Sequence, residues 1–512
     1  QNGKVQMYSA SVSTYPGSSS SRIFLQELKT QTDPARPGRH SLAALNARDI
    51  KSREPNFNSR QTVIRLPGGV YRIGPTRNGI VGLNGNDGKN DTFGIYKDRL
   101  VTPEVDEWAK VLLPWTVRYY GNDDIFKTFN QPNNKKQSDK KQYSQKYRIR
   151  ENGNRDLGDI VNSPIVAVGG YLATAANDGM VHIFKKNGGS DERSYNLKLS
   201  YIPGTMPRQY FDNDTSALKD STLAQELRTF AEKGYVGDRY GVDGGFVLRQ
   251  VELSGQKHVF MFGAMGLGGR GAYALDLSKI NENYPAAAPL FDVKNGDNNG
   301  KNRVKVELGY TVGTPQIGKT QNGKYAAFLA SGYAAKDINS NDNKTALYVY
   351  DLGNTLGTPI AKIDVPGGKS GLSSPTLVDK DLDGIVDIAY AGDRGGNMYR
   401  FDLSNSDPNK WSAKAIFEGT KPITSAPAVS RLKDKRVVIF GTGSDLTEDD
   451  VLDTKEQYIY GIFDDDKGTV NVKVTNGTGG GLLEQVLSEE NKTLFLNKRS
   501  DGSGSKGWVV KL

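Results

Sequence analysis

Between residues 160 and 465 the chain restates one theme: a strand opened by a small residue and proline, a strand of small residues, and an aromatic strand running into aspartate. The first statement is Val161-Asn162-Ser163-Pro164-Ile165-Val166-Ala167-Val168, a Gly169-Gly170 turn, and Tyr171-Leu172-Ala173-Thr174-Ala175-Ala176. Asn177-Asp178-Gly179 then turns into Met180-Val181-His182-Ile183-Phe184. The theme returns at Gly313-Thr314-Pro315, Ser374-Pro375 and Ala426-Pro427. Its closing strands are Ala272 to Leu277, Ala346 to Leu352, Asn397 to Leu403 and Gln457 to Asp464.

Few folds accept such a pattern. Short antiparallel meanders arranged radially need small residues on narrow inner strands and large ones where neighbouring sheets meet. The expected fold is therefore all-β: a modified β-propeller of about seven blades, with inserted loops and short helices. Irregular spacing between recurrences places insertions in some blades, where function concentrates. One insertion reads as a helix from Thr222 to Lys233, capped by Asp220-Ser221, with Leu223, Leu227 and Phe230 on one face and Gly234 as the stop.

Residues 1–105 are expected to form an irregular β and loop connecting region, and residues 106–512 the propeller domain. The leading region holds strand-like runs at Thr62 to Leu66 and Gly69 to Ile73, and Thr102-Pro103-Glu104 signals a helix over Val105 to Leu112. Residues 121–158 are polar and basic and read as a loop. An excess of 67 Lys and Arg over 58 Asp and Glu is modest for this length and gives no reason to expect a nucleic-acid partner. The absence of cysteine excludes disulfides and thiolate metal sites. No apolar run reaches the ~18–20 residues of a membrane helix. Opening on Gln1-Asn2-Gly3 without a charged and apolar leader, the sequence reads as a mature or cut chain.

Against this background Asp379-Lys380-Asp381-Leu382-Asp383-Gly384-Ile385-Val386-Asp387 stands out as a calcium loop. Alternate carboxylates on a backbone curled at Gly384 converge on one hard cation, and the Ile385 carbonyl adds an oxygen. The expected ligands of Ca2+ are thus Asp379, Asp381, Asp383, Ile385 and Asp387. Strand-like runs flank the loop, and Tyr390 stands where an EF-hand has its bidentate Glu, so the loop lacks the EF-hand's helices.

Other motifs fail their context. Gly266-Leu267-Gly268-Gly269-Arg270-Gly271 is followed by a strand and so lacks the helix N-terminus a pyrophosphate requires. His40, His182 and His258 have no partners at zinc-ligand spacing. Asn295-Asp297-Asn299 and Asp337-Asn339-Asn341 read as loops, and Asp445-Thr447-Asp449-Asp453 is a weaker calcium candidate with Asp450 at the glycine position.

Asp156-Leu157-Gly158-Asp159-Ile160-Val161-Asn162-Ser163-Pro164, the calcium loop, and Ala391-Gly392-Asp393-Arg394-Gly395-Gly396-Asn397-Met398-Tyr399-Arg400-Phe401-Asp402-Leu403 together resemble the PilC/PilY family of type IV pilus tip and biogenesis proteins, closest to its neisserial PilC branch. The resemblance covers roughly 105–512. It implies a non-enzymatic, exported protein of the pilus tip, cell surface and outer membrane, peripherally associated with that membrane. It also implies a calcium-controlled factor that promotes pilus assembly by opposing retraction, adheres to host cells, and has pilus components and a host-cell surface receptor as partners. The Arg-Gly-Asp tripeptide of some relatives is missing. Two other propeller classes use calcium. A quinone-dependent dehydrogenase would need an aromatic cofactor pocket, and the chain has 4 Trp without a per-blade repeat. An integrin-like propeller usually repeats its aspartate loops, and here one is complete.

Overall fold

A computed structural model describes most of residues 157–512, most of 46–108, and residues 6–12, 21–30 and 40–42. The basic segment 121–156 lies outside the described residues, as do most of the expected 105–112 helix and the Asp337-Asn339-Asn341 cluster.

Three strands, β1 (Gln6–Val12), β2 (Ser21–Thr30) and β3 (His40–Leu42), form a small antiparallel sheet. Strands β4 (Gln61–Leu66), β5 (Gly69–Thr76) and β6 (Gly79–Val81) follow as a meander. The repeating region then opens with β7 (Val166–Val168), β8 (Tyr171–Ala176), β9 (Met180–Lys186) and β10 (Tyr195–Ile202). β10 pairs with β4 in parallel, so the meander ahead of the repeats extends the first blade into a seven-stranded sheet. Within the expected connecting region, Gln61 to Ile64 of β4 thus pair with Leu199 to Ile202 of β10, while β5 pairs onto β4 and β6 onto β5.

A hairpin of β11 (Pro207–Asp212) and β12 (Ala217–Thr222) leads into the helix Leu223–Lys233. The cap differs from expectation by a residue or two. Thr222 and Gln225 exchange hydrogen bonds, Thr222 N to Gln225 Oε1 at 3.0 Å and Gln225 N to Thr222 Oγ1 at 3.3 Å, which satisfies two free amides at once.

The next sheets repeat with little change. The second blade is β13 (Phe246–Leu253), β14 (Gln256–Ala264), β15 (Gly271–Asp276) and β16 (Pro289–Lys294). The third is β17 (Gln316–Lys319), β18 (Tyr325–Ala330), β19 (Ala346–Asp351) and β20 (Pro359–Asp364). The fourth is β21 (Thr376–Val378), β22 (Ile388–Gly392), β23 (Asn397–Asp402) and β24 (Ser412–Glu418). The fifth begins with β25 (Ala428–Arg431), β26 (Arg436–Gly441) and β27 (Tyr458–Asp464). Beyond them, β28 (Val472–Lys473) pairs with β24, while β29 (Leu483–Ser488), β30 (Thr493–Phe495) and β31 (Gly507–Lys511) complete the fifth sheet in the order β25-β26-β27-β31-β29-β30.

The all-β propeller architecture is thus present, with five blade sheets among the described residues where about seven were expected. The aromatic strands are third in their sheets, not last. A fourth strand follows each in its sheet, and in β20 its mixed polar and apolar residues, Pro359-Ile360-Ala361-Lys362-Ile363-Asp364, hide it from a search for hydrophobic runs.

Burial explains the residue choice. Ala173 and Ala175 on β8, Ala326 and Ala327 on β18, and Ala389 and Ala391 on β22 are fully buried, so sheets approach closely there. Larger side chains fill the wedges. Phe262, Phe291 and Tyr350 meet between the second and third blades with centroids 5.9–6.4 Å apart. Phe417, Phe440 and Tyr460 do so between the fourth and fifth, at 4.6–5.5 Å. Each such contact contributes about 0.5–1.5 kcal/mol beyond the area it buries.

Inner loops tie blade to blade. Asn162 Nδ2 donates to both oxygens of Asp243 at 3.1 and 3.0 Å, and Gly245 N to Gly313 O at 3.0 Å. Thr314 N donates to Ser374 Oγ at 2.9 Å, and Thr376 Oγ1 to Pro427 O at 2.6 Å. The small residue-proline openings of the repeat therefore serve as inter-blade joints.

Candidate metal centre

The loop 379–387 closes the β21–β22 hairpin, in which Thr376, Leu377 and Val378 pair with Tyr390, Ala389 and Ile388. Asp387 N donates to Val378 O at 2.9 Å and seals its neck. Within the loop the backbone enters the left-handed region at Leu382, φ 58°, and Gly384, φ 84°. Those two residues reverse the chain direction, and the carboxylates of the four aspartates come together. The aspartate spacing and Gly384 were legible in the sequence, whereas a leucine in the left-handed region was not.

One carboxylate oxygen each from Asp379, Asp381, Asp383 and Asp387 lies within 4.8 Å of the others. Among the described residues this is the one grouping of three or more such ligands. Asp379 accepts from Gly384 N at 2.7 Å and from Asp383 N at 3.2 Å, and Asp383 accepts from Ile385 N at 2.9 Å. Ile385 thus stands in the same turn, and it bridges to Lys319 of the third blade. Four clustered carboxylates on one turn suit a hard divalent cation.

The clustered carboxylates perturb one another's ionisation. Desolvation is the largest single influence on Asp379 and works against ionisation, yet hydrogen bonds from the Gly384 amide, the Asp381 carboxyl and Asp383 together outweigh it and hold the carboxyl below its usual value. Asp383 goes the other way. The Ile385 amide favours its charged form, but desolvation and the charges of Asp381 and Asp379 prevail and raise it.

Two neighbouring blades hold the loop. From the third, Gln321 Nε2 donates to Asp387 Oδ1 at 2.9 Å, and Val386 N donates to Lys319 O at 2.8 Å. From the fifth, Arg431 Nη1 donates to Lys380 O at 2.9 Å. Asp387 itself is buried, 4% exposed, with its Oδ2 accepting from Lys380 N at 2.8 Å. Gln321 and Arg431 had no sequence signal, since they stand 66 and 51 residues from their partners.

Beside the loop lies a cavity of about 330 Å³, walled by Arg249 of β13, Gln316 and Ile317 of β17, Thr376 and Leu377 of β21, and Asp379, Gly384 and Val386 of the loop. The innermost strands of three successive blades meet there.

The remaining motifs are spent on structure. The glycines 266–271 form a 3-10 turn running straight into β15. His182 is buried between Asp178 Oδ2, 2.9 Å, and Ser200 Oγ, 2.8 Å. That trio has the composition of a hydrolase triad, but His182 and Ser200 are 0% exposed and no substrate reaches them. His258 pairs separately with Asp276 at 2.7 Å. In the Asp445 to Asp453 stretch, whose Thr447 lies outside the described residues, Asp450 accepts from Ser444 Oγ and Leu446 N, so its carboxylate is occupied within the turn.

Residues 157–499 match a family model described as the PilY1 beta-propeller domain. The type IV pilus biogenesis factor PilY1 of Pseudomonas aeruginosa PAO1 is 29% identical over 421 residues, covering 70% of this chain and 32% of that protein. A PilY1 homolog of Xylella fastidiosa is 28% identical over 253 residues, 47% of this chain and 14% of that protein. The chain spans about a third of the length of the P. aeruginosa relatives it matches. The crystal structure of the P. aeruginosa PilY1 C-terminal domain aligns with a TM-score of 0.46 at 25% identity, covering 67% of this chain and 70% of that one.

Proposed function

Since this chain belongs to the PilY1 β-propeller family, we propose that it is the calcium-binding propeller of a type IV pilus biogenesis factor that promotes assembly by opposing retraction and contributes to host-cell attachment. Its partners on this reading are pilus components and a host-cell surface receptor, and it acts after export, at the pilus tip and outer-membrane surface. It performs no catalysis.

The observation that carries the reading is the convergence of four carboxylates, within 4.8 Å, on a hairpin loop held by both neighbouring blades. Asp379, Asp381, Asp383 and Asp387 would hold Ca2+, with the Ile385 carbonyl as a further oxygen. The ion supplies positive charge that offsets carboxylate repulsion. This chain's own residues do the rest: Gln321 and the Lys380 amide orient Asp387, Arg431 fixes the loop's entry, and the innermost strands carry the ordering of the loop toward the cavity.

The test is calcium titration calorimetry on the wild type and on Asp381→Ala with Asp387→Ala, followed by pilus counts in cells carrying the same changes. Saturable binding lost in the variant together with fewer pili is expected. Binding lost with normal piliation would leave calcium without a part in assembly, and no wild-type binding would sink the site. Calcium at about 100 times its Kd should stabilise the folded chain by about 2.7 kcal/mol, so a chelator should lower the thermal midpoint of the wild type and leave that of the variant in place.

A further inference from the structure

Arg249 has no carboxylate partner among the described residues. Its Nη1 donates to Ile317 O at 2.9 Å, and its guanidinium lies over the Tyr325 ring at 5.9 Å. Lys319 approaches the same ring at 5.7 Å, likewise without a carboxylate partner among the described residues. The carbonyl and the ring hold the guanidinium in place, and Arg249, partly exposed, forms part of the wall of the 330 Å³ cavity beside the metal loop.

A fixed half-buried guanidinium without a counter-ion is a ready anion donor. The cavity's other walls say which anion. Ile317, Leu377 and Val386 are aliphatic, Gln316 and Thr376 are neutral and polar, and Asp379 brings the negative charge of the metal loop to one edge. Such walls suit a carboxylate carried on a short hydrocarbon stem, and the volume takes one side chain. We propose that this cavity is a docking site for an acidic side chain, glutamate above all, of a protein partner, with Arg249 as the residue that binds its carboxylate.

The site is wired to the metal loop because Asp379 and Gly384 belong to both. An empty loop presents four negative charges beside the incoming carboxylate, and a bound divalent cation halves them. Calcium and the acidic partner should therefore tighten each other's binding, a coupling that rests on the calcium reading above and is reciprocal by linkage.

The probe is the fluorescein-labelled peptide acetyl-Gly-Glu-Glu-Gly-amide, followed by anisotropy at low ionic strength in calcium or in chelator. Arg249→Gln keeps a donor for Ile317 O, and Lys257→Gln, exposed at the β13–β14 turn, removes the same charge elsewhere. Thermal midpoints of both variants establish that they fold. We expect saturable binding, weakened about tenfold or more by Arg249→Gln, unchanged by Lys257→Gln, and about fivefold tighter with calcium. Equal losses in both variants, or none in Arg249→Gln, would overturn the docking site. Arg249-dependent binding indifferent to calcium, in protein that calorimetry shows to bind the ion, would overturn the coupling. If calorimetry detects no calcium while the chelator arm still depends on Arg249, the calcium reading falls and the anion site stands.

Discussion

Asp243 shows how one buried side chain sets a pH response. It is 3% exposed and lines a cavity of about 560 Å³ at the end of the innermost strands opposite the metal loop. Burial pushes its carboxyl up to about 6, against the opposing hydrogen bonds from Asn162 and from the amide of Leu267. A carboxyl raised on folding contributes stability below its unfolded value and loses it as pH rises through about 6. Asp243→Asn mimics the protonated form, so it should stabilise the protein by about 2–3 kcal/mol at pH 7.5 and by little at pH 4. Urea unfolding at the two pH values measures this. Gly384 offers a second test. Its φ of 84° is unfavourable for alanine, but a Cβ there meets nothing within 4 Å. Gly384→Ala should cost about 1 kcal/mol of backbone strain, read in calorimetry as calcium binding weakened about fivefold without loss of fold. The aspartates of the loop were legible because they lie within one short turn, and a periodic spacing implies convergence. Gln321, Arg431 and Arg249 were not, because a propeller brings them in from other blades and no local spacing encodes that.

At the scale of the element, the tight turns β8–β9 and β22–β23 are built around the buried carboxylates of Asp178 and Asp393. Asp393, 0% exposed between β22 and β23, accepts from Asn397 N at 2.9 Å, Asn397 Nδ2 at 3.2 Å and Tyr399 Oη at 2.7 Å. Asp393→Ala strands those donors in a dry turn and should cost about 3 kcal/mol, with Asp393→Asn costing less because one acceptor survives. Chemical denaturation of the two variants side by side checks both magnitude and order. Strands of this kind were readable from residue pattern: Tyr171 to Ala176 is the observed β8, and Asn397 to Asp402 the observed β23. The outer strands were less so. Ser412-Ala413-Lys414-Ala415-Ile416-Phe417-Glu418 in β24 owes its place to pairing with β23, and its exposed alternation carries little hydrophobic signal of its own.

For the molecule as a whole, closure of the fifth blade depends on the chain's last strand. β31 pairs with β27 along Tyr458 to Ile462 and with β29 in parallel, burying Val509 and Val510. Deleting residues 505–512 should leave the β27 edge unpaired, and we expect a fall of at least about 5 °C in thermal midpoint with aggregation on heating, followed by calorimetry and light scattering. Architecture was legible from recurrence, because a repeat that cannot bury its own face must stack. The blade number and the recruitment of β4–β6 were not, since both turn on which unpaired edge a distant strand meets. That recruitment has a mechanical side. β4 runs parallel to β10, pairing Gln61 to Ile64 with Leu199 to Ile202. Tension between the chain ahead of β4 and the chain after β10 pulls these strands from opposite ends. It loads their rungs together in shear, so the junction resists stretching as a lap joint does, where an antiparallel edge would peel one rung at a time.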